Sequence, residues 1–232
     1  MKKHKFIRKI YRDTEIKRIN EKIRTLNNYP IDEINFLNIR LITTIIIFFI
    51  TFLIFKTGYI ISPIIALVYY YIFEYIFLDI QVQNRIKKLD REALTFFEIL
   101  TLTLESGRNL EKALEITVLN VNSELSEEFK KTLFEIKFGK SLIEALNDTK
   151  KRIPSETINN IILNITQTNI FGNSIIDTMY SQIEFLREKQ ILSIREQINK
   201  LPNKISIISV LFIVPIILLI VLGPFLITFI NG

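Results

Sequence analysis

Charged positions vanish three times along this chain, and the gaps organise what lies between them. Residues 41–55 carry no charge, residues 58–78 carry only Glu74, and residues 205–230 carry none. A membrane-crossing helix needs about 20 mostly apolar residues. The pattern therefore predicts three spans, at about 36–55, 58–78 and 205–230. The first reaches that length only if Phe36-Leu37-Asn38-Ile39 are included, which takes in Arg40. Its long stem is expected to carry the guanidinium back to the headgroups. Pro63 should kink the second span or sit near its outer end. Glu74 stands among Tyr69, Tyr70, Tyr71 and Tyr75 at the other end. Tyrosines are common at such an interface, but an ionisable group within a span is a functional candidate. Glu74 is a candidate polar contact for another span or for a membrane-borne substrate; the plainer reading has it reaching water.

Elsewhere the periodicity is helical. Phe6, Ile10, Ile16, Ile19, Ile23 and Leu26 recur at helical spacing with Lys and Arg between them. Such a stripe either lies on the inner leaflet or packs against the protein's own helices. Residues 79–204 contain no convincing strand pattern and predict six helices. These are 91–106, 110–120, 126–138, 142–151, one running from Pro154-Ser155-Glu156 to Gly172, and one over 174–201. Asn109 is placed to cap the second, and Ser141 with Glu144 forms a capping-box pattern at the fourth. The short connections make antiparallel neighbours, hence a compact bundle.

Three similar turns punctuate this region: Gly107-Arg108-Asn109-Leu110-x-x-Ala113, Gly139-Lys140-Ser141-Leu142-x-x-Ala145 and Gly172-Asn173-Ser174-Ile175. Glycine after a helix supplies the left-handed residue a tight stop requires. Good turn chemistry explains the individual residues. It does not explain glycines 32 and 33 residues apart, which suggest related helix-turn-helix units. Beyond them, Lys200-Leu201-Pro202-Asn203-Lys204 leads into the last apolar run, which holds Pro215 and Gly223-Pro224. Prolines there leave carbonyls needing neighbours, so this span is expected to pack against other helices.

Charge supplies the orientation. The net charge is +6, and residues 1–40, with 11 Lys/Arg against 5 Asp/Glu, hold all of the excess. Positive segments stay on the cytoplasmic side. Residues 1–35 are thus expected to form a basic amphipathic cytoplasmic segment, 79–204 a cytoplasmic bundle, and the C-terminus an extracytoplasmic end. The basic segment runs straight into a span, so it is read as facing membrane lipids and not nucleic acid. No small-x-small cleavage site follows the first apolar run, so no cleaved signal peptide is expected.

The residues that chemistry needs are scarce. There is no cysteine, and His4 is the one histidine, so neither a Ser-His-Asp site nor a histidine-pair zinc motif can be assembled. Asp79 has no second aspartate in a span to work with. Gly139-Lys140-Ser141 resembles the end of a phosphate-binding loop, but Phe134 stands where that loop has its first glycine, and a helix precedes the triplet instead of a strand. No enzyme activity, cofactor or metal is expected. Glu98, Glu105, Glu135 and Glu184 read as a solvated helix face, with partner contact as the alternative.

Taken together, the chain resembles the type II secretion F-domain family, the inner-membrane platform proteins of type IV pilus and type II secretion machines. The resemblance is carried by residues 104–114, 138–146 and 169–175, then by Leu201-Pro202-x-Lys204, Phe212-x-x-Pro215 and Leu222-Gly223-Pro224. That ending looks like the C proteins of the tight-adherence (Tad) pilus branch. The family motif positions are Gly107, Leu110, Ala113, Gly139, Leu142, Ala145, Gly172, Leu201, Pro202, Lys204, Pro215, Gly223 and Pro224. The resemblance implies an all-α integral membrane protein with three transmembrane helices and a six-helix antiparallel cytoplasmic bundle. It further implies contact with a cytoplasmic secretion ATPase and with pilin-like membrane subunits. A single copy of the domain implies a homodimer, or a heterodimer with a paired B-type platform protein. A membrane subunit of a transporter that docks a different ATPase is the rival reading.

Overall fold

The computed structural model describes residues 11–26, 29–54, 58–171 and 174–231, with side chains at 13, 169–171, 200, 201, 203–205, 207, 219 and 223–231 left out of the description. His4 and Gly172 lie outside the described residues, and the side chains of Leu201, Lys204 and Pro224 outside the described side chains. All regular structure among the described residues is helical. In chain order the helices are α1 (Asp13–Thr25), α2 (Glu33–Ile54), α3 (Gly58–Glu74), a π-turn (Tyr75–Asp79), α4 (Ile80–Glu105), α5 (Leu110–Asn120), α6 (Glu124–Lys137), α7 (Leu142–Arg152), α8 (Glu156–Phe171) and α9 (Ile175–Asn231). Two compact units result, Met1–Ile183 and Glu184–Gly232.

In the first unit, two helices are long and apolar enough to cross a membrane: Glu33–Ile54, at mean hydropathy 2.3, and Gly58–Glu105. Hydroxyls inside α2 are satisfied locally, Thr43, Thr44 and Thr51 each donating to the carbonyl four residues back at 2.7–2.8 Å. The reversal between α2 and α3 is tight enough to need a missing side chain. A Cβ on Gly58 would stand 2.6 Å from the Phe52 carbonyl oxygen. Pro63 falls inside α3.

The second apolar helix does not end where the apolar run ends. Instead of a fresh start near residue 91, the chain stays helical from Gly58 to Glu105, interrupted only by the π-turn. The sequence 80–90 contains neither Gly nor Pro to stop it.

Helices α4 to α8 then pack around one apolar core. Phe96 stacks on Phe129 at 4.7 Å between ring centroids, with Phe97 edge-on to both. Leu89, Leu100, Leu114, Leu125, Ile158 and Ile162 are fully buried around them. Asn109 caps α5, Ser123 caps α6, and Ser141 with Glu144 completes the capping box of α7. Leu110, Ala113 and Ala145 are buried, whereas Leu142 is half-buried. Gly107 and Gly139 sit at φ +80° and +95° with open space where a side chain would go. The requirement there is conformational, not steric. The starts of α6 and α8 lie beside the early part of α4, through Glu124 to Arg85 and Ser155 to Asp90. Hence α4, α6 and α8 run the same way, and Gly107 and Gly139 fall at the same pole of the bundle. One outgoing and one returning helix make up the 32-residue repeat. At that pole Tyr180, in the first turns of α9, donates to the Glu105 carboxylate.

The sequence predicts a helix ending at Leu201 and a separate span after Pro202. Instead, α9 is one continuous helix through Pro202, Pro215, Gly223 and Pro224. An internal proline deletes one ladder bond, and the remaining bonds of a long helix can carry the backbone past that loss. Within the second unit, Ile208–Leu222 is the apolar stretch.

Candidate functional site

Each apolar helix of the pair carries one charge within its apolar length, and the charges are opposite. Arg40 on α2 donates to Glu74 on α3 at 2.8 Å. The expectation that Arg40 carries its guanidinium to the headgroups is therefore wrong: the residue is 1% exposed. The reason is electrostatic. A carboxylate on the facing helix satisfies the cation inside the protein, so it has nothing to gain by leaving. Arg40 also bonds Glu15 at 2.7 Å and Tyr70, and its guanidinium carbon lies 4.0 Å over the Tyr70 ring.

The third side of this hub comes from α1. Its apolar stripe, with Ile19 fully buried and Ile16 and Ile23 beside it, packs on Phe36, Leu37, Phe73 and Leu78. Of the two readings of the stripe, packing on the protein's own helices is the one adopted over Asp13–Thr25; residues 6–10 lie outside the described residues. Ahead of α1, Tyr11 donates to the Leu37 carbonyl at 3.0 Å. Burial pushes the Tyr11 phenol above its ordinary value, the Arg40 charge opposing that only in part, so it stays a donor. The polar face of α1 then supplies Arg18 and Lys22 to Glu74, at 2.9 and 2.8 Å. Glu74 thus accepts from three cations on two helices. One of these cations stands on the facing apolar helix and two on α1.

Lys22 reaches further, to Asp79 at 2.6 Å. Residues five apart on an α-helix stand about 140° apart around its axis, too far for one amine. Here the intervening segment is a π-turn, closed by the Ile80 N–H on the Tyr75 carbonyl. Its wider i→i+5 turn brings residues 74 and 79 toward one face. Burial alone would pull the Lys22 amine down; the bonds it donates to Asp79 and Glu74 outweigh that and hold the amine above its ordinary value.

A second charged cluster begins at Arg85, one and a half turns beyond the π-turn. Its guanidinium bonds Glu124 at 2.6 Å and Glu128 at 2.9 Å, both near the start of α6. It also donates to the Arg152 carbonyl at 3.1 Å and to the Thr25 carbonyl, the last residues of α7 and α1. Carbonyls at helix ends lack intrahelical donors, and carboxylates suit helix starts, so one guanidinium serves three helix termini. Arg152 closes the cluster on Glu128 and Glu135, at 3.3 and 2.7 Å. For Glu124, burial raises the carboxyl, and bonds from Arg85 and Lys88 outweigh that and hold it low.

Lys140 bonds Glu135 and Asp148, both at 2.8 Å, which ties the Gly139 turn to α7 and occupies the amine of the loop-like triplet. Among the described residues no group of acids and histidines could hold a metal ion. Glu105 and Glu135 are engaged within the protein, by Tyr180 and by Lys140 and Arg152. The sequence reading missed Glu15, Arg18, Lys22, Arg85, Glu128 and Arg152. The cue it passed over was a lone cation in one span and a lone anion in the next.

An apolar helix pair with the length and composition to cross a membrane, joined through charged hubs to a helical bundle, fits a membrane protein. The chain belongs to the Type II secretion system (T2SS), protein F family, whose model matches residues 96–223. It is accordingly a secretion-related membrane protein of the platform type. The match starts within α4 and ends within α9, so α1, the α2–α3 pair, the π-turn and Arg85 all lie outside it. No curated protein and no solved structure is significantly similar to this chain.

Proposed function

We propose that this chain is the inner-membrane platform component of a type IV or Tad pilus, or of a type II secretion-like assembly machine. In this reading a cytoplasmic secretion ATPase drives the helical bundle, and the membrane helices pass the motion to pilin-like subunits entering a filament. The role is mechanical and not enzymatic. Residues 205–230 form the third span, the segments from α4 to the start of α9 act as one six-helix cytoplasmic bundle, and the excess positive charge of residues 1–40 keeps the N-terminus inside and the C-terminus outside. A second copy, or a paired B-type protein, supplies the other half of the platform. The observation that carries the reading is the family match, which spans most of the bundle and the apolar part of α9. The Leu201-Pro202-x-Lys204 and Leu222-Gly223-Pro224 sequences favour the Tad branch.

The test is site-specific photo-crosslinking from exposed bundle positions such as Leu119 and Phe138 in cells assembling the filament. Adducts with the secretion ATPase are expected. Adducts with the ATPase of a transporter instead would support the rival reading, that of a transporter subunit.

A further inference from the structure

We infer that α1 is a splint across the π-turn and sets the angle between the second apolar helix and the bundle. The inference does not depend on which machine the protein serves, because every residue involved lies outside the family match.

A π-turn inside a long helix is a weak point: the ladder is locally misregistered, and such bulges are where long helices bend. In this chain it falls at the junction of the apolar length with α4. The neighbouring helix α1 touches the continuous helix on both sides of that point and across it. Before the turn, Arg18 and Lys22 hold Glu74. At the turn, Ile19 and Leu78, both fully buried, belong to one apolar cluster, and Lys22 holds Asp79. After it, Arg85 holds the last carbonyl of α1 at Thr25. At its other end α1 is fixed to α2 by Tyr11 on the Leu37 carbonyl and Glu15 on Arg40. Bending at 75–79 would separate Glu74 from Asp79 and break the Lys22 bridge. It would also pull Thr25 from Arg85 or Ile19 from Leu78. The attachments share one short rigid helix, so they are lost together, and the joint has one docked angle and a released state.

The stripe that faces Leu37 and Leu78 is flanked by Lys17, Arg18, Lys22 and Arg24, the composition of a helix that also binds a lipid surface. Undocked, α1 has the bilayer as an alternative bed, so release does not require exposing its apolar face to water.

The chain has no cysteine, so the full protein in nanodiscs can be spin-labelled cleanly. Labels at Leu67→Cys and Leu102→Cys, both exposed, report the angle across the joint; on a straight helix they would stand roughly 50 Å apart. The parent is expected to give one narrow distance. Lys22→Glu should broaden or shift it, and amide exchange over 75–82 should rise by about tenfold or more. Asp79→Asn, which frees one Lys22 anchor and leaves Glu74 held, is the milder variant should Lys22→Glu fail to fold. Lys130→Gln, removing the exposed pair with Glu127, should change nothing at the joint. A narrow, unshifted distance in folded Lys22→Glu or Asp79→Asn protein would overturn the splint, as would a broad distance in the parent.

Discussion

Arg40 and Glu74, 34 residues apart in sequence, meet at 2.8 Å between two apolar helices, and both are largely withdrawn from solvent. A buried pair of this kind is weak evidence for net stability, because desolvating both ions offsets most of their attraction. Its value lies in what happens when one partner is lost.

Glu74→Gln should therefore be costly, leaving Arg40, Arg18 and Lys22 facing one another with Glu15 and Asp79 as the remaining acids in reach. The expected loss is about 3–5 kcal/mol, and Arg40→Met should cost a similar amount. The double variant should lose less than the sum, with a coupling of about 1–3 kcal/mol. Thermal unfolding in detergent, run as a double-mutant cycle, measures it. Strict additivity would mean that the two charges act independently.

At the α2–α3 reversal, Gly58→Ala puts a methyl group 2.6 Å from a backbone oxygen, which cannot yield as a flexible side chain could. Gly139→Ala meets no atom but forces an L-residue to φ +95°. The second should cost about 1–2 kcal/mol. The first should cost more and also reduce the yield of folded protein. Denaturant melts and expression of the two variants check the order; a larger loss from Gly139→Ala would reverse the explanation.

Acid should weaken the Gly139 turn only toward the acid extreme. Hydrogen bonds from Lys140 and then Lys151 pull the Asp148 carboxyl from 3.8 down to about 2. A depressed carboxyl contributes stability that is fully present above its ordinary value and is lost as pH falls toward the folded value. The melting gap between parent and Asp148→Asn should thus stay constant above about pH 5 and close on approach to about pH 2. A gap that persists unchanged at the acid end would remove the two lysines as its cause.

Much of the local structure was legible because turn chemistry is local. Gly107, Asn109, Gly139, Ser141 and Glu144 marked helix ends to within a residue or two. The continuity of α3 with α4, and of α9 through Pro202, was not legible, since a drop in hydropathy or a proline looks like a boundary whether or not the backbone stops. The π-turn left no pattern, because its register depends on what packs against it. Charges were the hardest to read. Arg85, Glu128 and Arg152 look like ordinary surface residues in sequence, and only the packing of α4, α6 and α7 brings them together. The pairing of Arg40 with Glu74 could have been proposed, since two facing spans with one charge each and opposite signs invite it.

The claim on which the functional reading rests most directly is that the bundle lies on the inner side of the membrane. Single cysteines at Leu119, exposed on α5, and at Thr57, in the link between α2 and α3, test it in intact cells with an impermeant maleimide. The expected result is that Thr57→Cys labels at once and Leu119→Cys labels only after permeabilisation. Labelling of Leu119→Cys from outside would contradict the account, because no cytoplasmic ATPase could then reach the bundle.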